Sequence, residues 1–191
     1  MRRISVLLLG LALAGCGGSG GASISKEKLP QLVLQQSDLP RYVSFLNGPQ
    51  ARADMHPGPR EDPGRFGRLG GWIARYRRTG GVSIRTKGPL VVESRADVFP
   101  SAGAAKKDLR AYEQEYEAQP AEVGVARLDA PELGDGAVAL RFGSGLDRFV
   151  LVAWRKANAT ASLLVEGSSV TLPDAVRLAR LQQARIATAA A

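Results

Sequence analysis

The stretch Leu90 to Ala118, LVVESRADVFPSAGAAKKDLRAYEQEYEA, decides the fold. In its first nine residues Leu90, Val92, Ser94, Ala96 and Val98 fall on one side of an extended chain, and Glu93, Arg95 and Asp97 on the other. This period of two predicts a strand with one face in the core and the charged face in water. At Pro100-Ser101 the period changes. Ala102, Ala105, Leu109, Tyr112 and Tyr116 recur as one helical stripe, and Lys106, Lys107, Asp108, Arg110, Glu113, Glu115 and Glu117 largely cover the remaining surface. A strand therefore runs into an amphipathic helix, and the tyrosine pair on its stripe reads as core packing.

Downstream, Val123 to Leu128 reads as a short strand, and Val138, Leu140 and Phe142 alternate with Ala139 and Arg141. Arg148 to Arg155 (RFVLVAWR) is apolar on both faces, as expected of a central strand. Lys156 to Ala159 turns the chain back into Ser162 to Val165. The triplet Asn158-Ala159-Thr160 matches a glycosylation acceptor but reads as that hairpin turn. A second helix closes the chain, with Thr171 as N-cap, Pro173 and Asp174 in its first turn, and Leu172, Ala175, Ala179 and Ile186 as its stripe.

Upstream, Arg41 to Leu46 alternates, with Tyr42, Ser44 and Leu46 opposite Val43 and Phe45. Residues 49–70 then carry Pro49, Pro57, Pro59 and Pro63, several glycines, and Arg52, Arg60, Arg65 and Arg68, with no period of either kind; they read as a surface insertion. Trp72 to Arg78 alternates again. Thr79-Gly80-Gly81 suits a hairpin connection into Val82, Ile84 and Thr86. Runs of strand, a helix, further strands and a closing helix indicate an α+β fold: a mostly antiparallel sheet of about six strands with two helices packed on one face.

The first residues carry a different message. Arg2 and Arg3 precede an apolar run from Ile4 to Leu13, too short for a stable membrane span of about 20 residues. The ending Leu13-Ala14-Gly15-Cys16 resembles the lipobox of bacterial lipoproteins. That resemblance implies cleavage before Cys16, a diacylglyceryl group (and palmitate-type acylation) on its thiol, and a lipid anchor on the extracytoplasmic face of the cell membrane. Cys16 is the only cysteine, so no disulfide can form within the chain. The expected organisation is a signal peptide over 1–15, a lipidated cysteine with a Gly/Ser-rich tether over 16–28, and a single extracytoplasmic domain over 29–191.

The net charge is +8, of which Arg2 and Arg3 supply two. A basic domain held beside a bilayer is drawn to anionic head groups, and Arg60, Arg65 and Arg68 are the candidate membrane-surface contacts. Nucleic acid is not an expected partner: the chain reads as exported and lacks the basic-aromatic motifs of the usual readers.

Catalytic chemistry finds few components. His56 is the only histidine and lies in the Pro/Gly segment, a poor position for a rigidly held base. A zinc site lacks its ligands, and no metal or cofactor is expected. Glu93, Asp97, Glu132, Asp135 and Asp147 supply carboxylates without a telling spacing. The glycines of Gly64-Arg65-Phe66-Gly67-Arg68-Leu69-Gly70-Gly71 lack the Lys-Ser/Thr pair of a phosphate loop. Trp72, Tyr76 and Trp154 are the candidate binding residues, because such rings combine contact area with a polar handle; the competing reading places both tryptophans in the core.

From Leu34 onward the chain resembles PknH-like extracytoplasmic domains of bacterial lipoproteins and receptor-kinase sensors. The resemblance rests on Ser37-Asp38-Leu39-Pro40, Val98-Phe99-Pro100-Ser101-Ala102, Leu133-Gly134-Asp135 and Ala153-Trp154-Arg155-Lys156-Ala157-Asn158. It implies helices on an antiparallel sheet and an extracellular ligand, although the disulfides of some relatives are absent. The expected function is a membrane-anchored binding or sensor module for a small-molecule, lipid or protein ligand, not an enzyme. The alternative is a structural or assembly factor of the envelope with a protein partner and no small ligand.

Overall fold

The computed structural model describes residues 23–50, 63–80, 87–119, 121–145 and 147–191. Cys16 and the signal peptide, His56, Arg60, and the expected strand residues Val82, Ile84 and Thr86 lie outside the described residues. So does the Arg65 side chain.

Among the described residues seven strands pair antiparallel: β1 (Tyr42–Pro49), β2 (Gly70–Arg78), β3 (Val91–Val98), β4 (Ala126–Leu128), β5 (Ala137–Phe142), β6 (Phe149–Lys156) and β7 (Ala159–Glu166). They form one sheet in the order β1-β2-β3-β7-β6-β5-β4. Two antiparallel meanders thus meet at β3 and β7. The class is α+β, as the periodicities predict, with one strand more than expected. The helices are α1 (Leu29–Leu32), α2 (Ala102–Glu117) and α3 (Leu172–Ala190).

The expectation that both long helices share a face is corrected. Alternate residues of β6 feed two separate cores. Val150, Val152 and Trp154 pack with Ala175, Leu178, Ala179 and Ile186 of α3 and with Leu29 and Leu32 of α1. Leu151 and Ala153 pack with Leu109, Tyr112 and Tyr116 of α2. A strand apolar on both sides needs cover on both sides, so α2 and α3 sandwich the sheet. α2 leaves central β3 and crosses the second face toward β4, at the far edge; α3 leaves β7 onto the first face.

Thr171 caps α3 as the sequence indicates, and Ser101 caps α2. Ser101 Oγ accepts from Ala104 N–H, and Thr171 and Asp174 form a reciprocal capping box. The β6–β7 hairpin turns through Ala157, at φ 52°, and Asn158. Leu133-Gly134-Asp135 grips this turn. Asp135 accepts from the Lys156 ammonium and the Ala157 N–H, each at 2.9 Å, and donates its own N–H to the Arg155 carbonyl at 2.7 Å. Gly134, at φ 54°, lies so close to that carbonyl that a Cβ would overlap it.

The fold includes residues before the expected Leu29. Ile24 is buried in the α3-side core, and its N–H donates to Asn158 Oδ1 at 2.6 Å. The Asn158 amide in turn donates to the Ile24 and Phe99 carbonyls. The N-terminal segment is therefore stitched to the end of the sheet where β3 finishes and β7 begins. Residues 24–28, expected within a tether, belong to the fold.

Two expectations about faces also change. A bulge between Ser44 and Leu46 sets Leu46 opposite Arg75, which moves it to the side of Val43. Glu93, Arg95 and Asp97 of β3 are 6%, 8% and 1% exposed, not in water.

Candidate functional site

The charged side of β3 is paired inside the protein. Register sets Glu93 between Arg75 of β2 and Leu164 of β7. Arg95 Nε lies 2.5 Å from the Glu93 carboxylate, and the Arg75 guanidinium binds its other oxygen. Burial pushes the Glu93 carboxyl up, but Arg95 and Arg75 outweigh it and hold the group below its ordinary value. Two residues past Arg95 on the same face, Arg68 Nε approaches Asp97 at 2.8 Å, and Arg68 also donates to the Gln50 carbonyl. Arg68 is therefore corrected from a membrane-surface contact to an internal cation. Glu93 and Asp97 are held by arginines in separate ion pairs, and Asp135 holds the β6–β7 turn.

Trp72, Tyr76 and Trp154 do not converge. Tyr76 is buried on the α3 side of β2 and donates its hydroxyl to the Leu34 carbonyl at 2.6 Å; burial raises its pKa. Trp154 lies in the same core on β6, three strands or about 14 Å across the sheet. Its indole N–H finds no acceptor among the described residues. Both are core residues. Trp72 alone reaches the surface, where its N–H donates to Asn47 Oδ1 at 2.7 Å. It borders a shallow depression of about 320 Å³ with Leu29, Pro30, Pro49 and Gly70, at the end of the sheet where the N-terminal segment is stitched.

The better-formed pocket is at the other end. It measures about 400 Å³ and is lined by Asp38, Leu39, Pro40, Arg41, Tyr42, Arg78, Lys87, Gly88, Pro89, Asp174 and Arg177. The start of β1, the end of β2, the approach to β3 and the first turns of α3 meet there. Leu39 and Pro89 are buried beneath it, and the Tyr42 hydroxyl, donating to the Pro89 carbonyl at 2.8 Å, ties the floor together. Burial raises the Tyr42 pKa, Arg78 and Arg177 oppose the rise, and Asp174 adds to it, so all three charges are felt at that hydroxyl.

Four cations frame the mouth. Arg78 donates to the Lys87 carbonyl at 2.6 Å, while the Arg41, Lys87 and Arg177 side chains have no hydrogen-bond or ion-pair partner among the described residues. The two carboxylates are already engaged. Asp38 accepts from Arg185 Nη2 and Nε, at 2.9 and 3.0 Å, and Asp174 caps α3 through Thr171. Sequence reasoning missed this site because its cations come from four separate elements. The one local signal was Ser37-Asp38-Leu39-Pro40, whose Leu39-Pro40 forms part of the wall. Among the described residues no group of three His, Cys, Asp or Glu side chains is placed to hold a metal ion.

The fold is an antiparallel sheet sandwiched by helices, and a solved extracellular domain has a similar fold. The chain is similar to the extracellular domain of PknH from Mycobacterium tuberculosis: TM-score 0.59, 10% identity, covering 88% of this chain and 100% of that one. At that identity the likeness is one of fold. No family model matches the chain, and no curated protein matches it.

Proposed function

We propose that this chain is a membrane-anchored extracytoplasmic binding or sensor module whose ligand occupies the pocket above Leu39, Tyr42 and Pro89. The observation that carries the reading is the pocket's place. The N-terminal segment joins the sheet beside Asn158, near Val98 and Gly70, whereas the pocket gathers Arg78 and Pro89 at the other end of the same strands. Nine residues of β2 separate the two ends by about 25 Å. A domain tethered through Cys16 would hold its anchor end to the bilayer and present the pocket away from it. The lipobox-like start and the likeness in fold to an extracellular domain support the same location.

The test is mass spectrometry of small molecules that co-purify with the full chain in detergent, repeated with Pro40→Trp. Pro40 is exposed at the pocket mouth, and an indole there is expected to fill it. Retention of a compound by the parent chain and its loss from the variant supports the reading; equal retention by both sinks it.

A second reading, an assembly factor with a protein partner, draws on one observation. Edge strand β1 exposes Val43, Phe45 and Leu46 at 43%, 53% and 37%, apolar side chains on a strand with one unpaired edge. Crosslinking in intact cells that captures one defined protein, and fails with Phe45→Lys, would favour it.

A further inference from the structure

We infer that the pocket framed by Arg41, Arg78, Lys87 and Arg177 recognises a phosphate group carried on a small organic body. The inference rests on the binding reading above and goes further, to the chemistry of the ligand. Like charges crowded at one mouth repel each other, and none of the four has an ion-pair partner among the described residues. The nearby carboxylates offset them only in part, with Asp174 opposing at most one of the four charges. Asp38 is matched by Arg185 from outside the pocket, and one Asp174 oxygen is taken by both the N–H and the hydroxyl of Thr171. The site thus carries an excess of positive charge suited to a dianion.

Arginine favours phosphate because its planar fork presents parallel N–H donors to two oxygens, and three of the four cations are arginines. The α3 N-terminus is not the source of the attraction, since its own capping box already satisfies it. The floor indicates the remainder of the ligand. Leu39, Pro40, Tyr42 and Pro89 form an apolar wall that a bare inorganic ion would leave wet, but a glycerol-like, sugar-like or acyl-proximal fragment would cover. A soluble phosphate monoester and the phosphomonoester head group of a phosphatidic acid share this chemistry.

The experiment is calorimetric titration of the full chain in neutral detergent with three probes: inorganic pyrophosphate, glycerol 3-phosphate, and dihexanoylphosphatidic acid below its micelle concentration. Citrate at matched ionic strength is the comparison anion. At least one of the two organic phosphates is expected to bind more tightly than both citrate and pyrophosphate; tightest binding of pyrophosphate overturns the organic body. Arg177→Ala and Lys87→Ala are expected each to weaken that binding about tenfold or more, and Arg177→Glu to abolish it. Arg180→Ala, exposed on the same helix outside the pocket, should leave it unchanged. Tighter binding of glycerol 3-phosphate identifies a soluble ester, and tighter binding of the short-chain lipid a head group.

Binding of no phosphate probe, or binding indifferent to Arg177→Ala and Lys87→Ala, overturns the assignment. If a neutral compound nevertheless co-purifies and is evicted by Pro40→Trp, the binding reading stands and only the phosphate falls. If nothing is retained and nothing binds, both fall.

Discussion

Arg68 Nε lies 2.8 Å from Asp97 Oδ1, with the two side chains 5% and 1% exposed, and the space for this contact exists because Gly71 has no side chain. Gly71 stands opposite Asp97 in the β2–β3 register, and a Cβ there would overlap both the guanidinium and the carboxylate. Arg68→Ala takes the guanidinium away from the buried Asp97 carboxylate, and Asp97→Ala takes the carboxylate away from the buried Arg68; either change is expected to cost about 3–5 kcal/mol in chemical denaturation. The apolar pair Arg68→Leu with Asp97→Val should recover much of the loss. Gly71→Ala is expected to lower the melting temperature in the parent and much less in that double variant; an equal drop in both would separate the glycine from the ion pair.

The buried Glu93 carboxylate predicts an acid-labile fold. Its pKa is depressed in the folded state, so its contribution is fully present above the unfolded value near 4.5 and is lost as pH falls through the lower, folded value. Glu166 acts in the opposite sense. Burial first, and then Asp147, raise its pKa against the pull of Arg75, so its ionised form is disfavoured in the fold at neutral pH. Melting temperature measured from pH 7 down to 3 should fall less steeply in Glu93→Gln, from a lower start. Glu166→Gln should raise the melting temperature at pH 7 and have no effect near pH 3.

Asn158 joins the N-terminal segment to the hairpin through three hydrogen bonds, two with Ile24 and one with Phe99. Asn158→Ala is expected to cost about 1–3 kcal/mol, because buried backbone groups lose their partner. Hydrogen exchange at residues 24–28 should accelerate before that of β6 and β7. Uniform acceleration would place Asn158 in the global core and not at a local clasp.

Anchoring is tested by Cys16→Ser. Metabolic labelling with palmitate is expected to vanish, and the precursor to keep its leader. Labelling that persists in the variant would locate the acyl group elsewhere.

How much of this was legible in the sequence varies from one element to the next. The change of period at Pro100-Ser101 places the β3–α2 junction, and Thr171 with Asp174 places the start of α3, because caps and periodicity depend on residues within a few positions of each other. RFVLVAWR carried the two-sided burial of β6 in plain view, and the two-faced arrangement of α2 and α3 follows from it. The bulge at Ser44/Leu46 and the burial of Glu93, Arg95 and Asp97 were not legible. Alternation shows that a residue faces away from its neighbours, not whether another segment covers that face or which arginine meets it there. The same holds for the pocket. Arg41, Arg78, Lys87 and Arg177 are unremarkable surface cations along the chain, and they become a site only because strand order and the return of α3 gather them at one end of the sheet. Local preferences act over a few residues and are written in the sequence; charge convergence acts through space over long chain separations, and tertiary structure alone decides it.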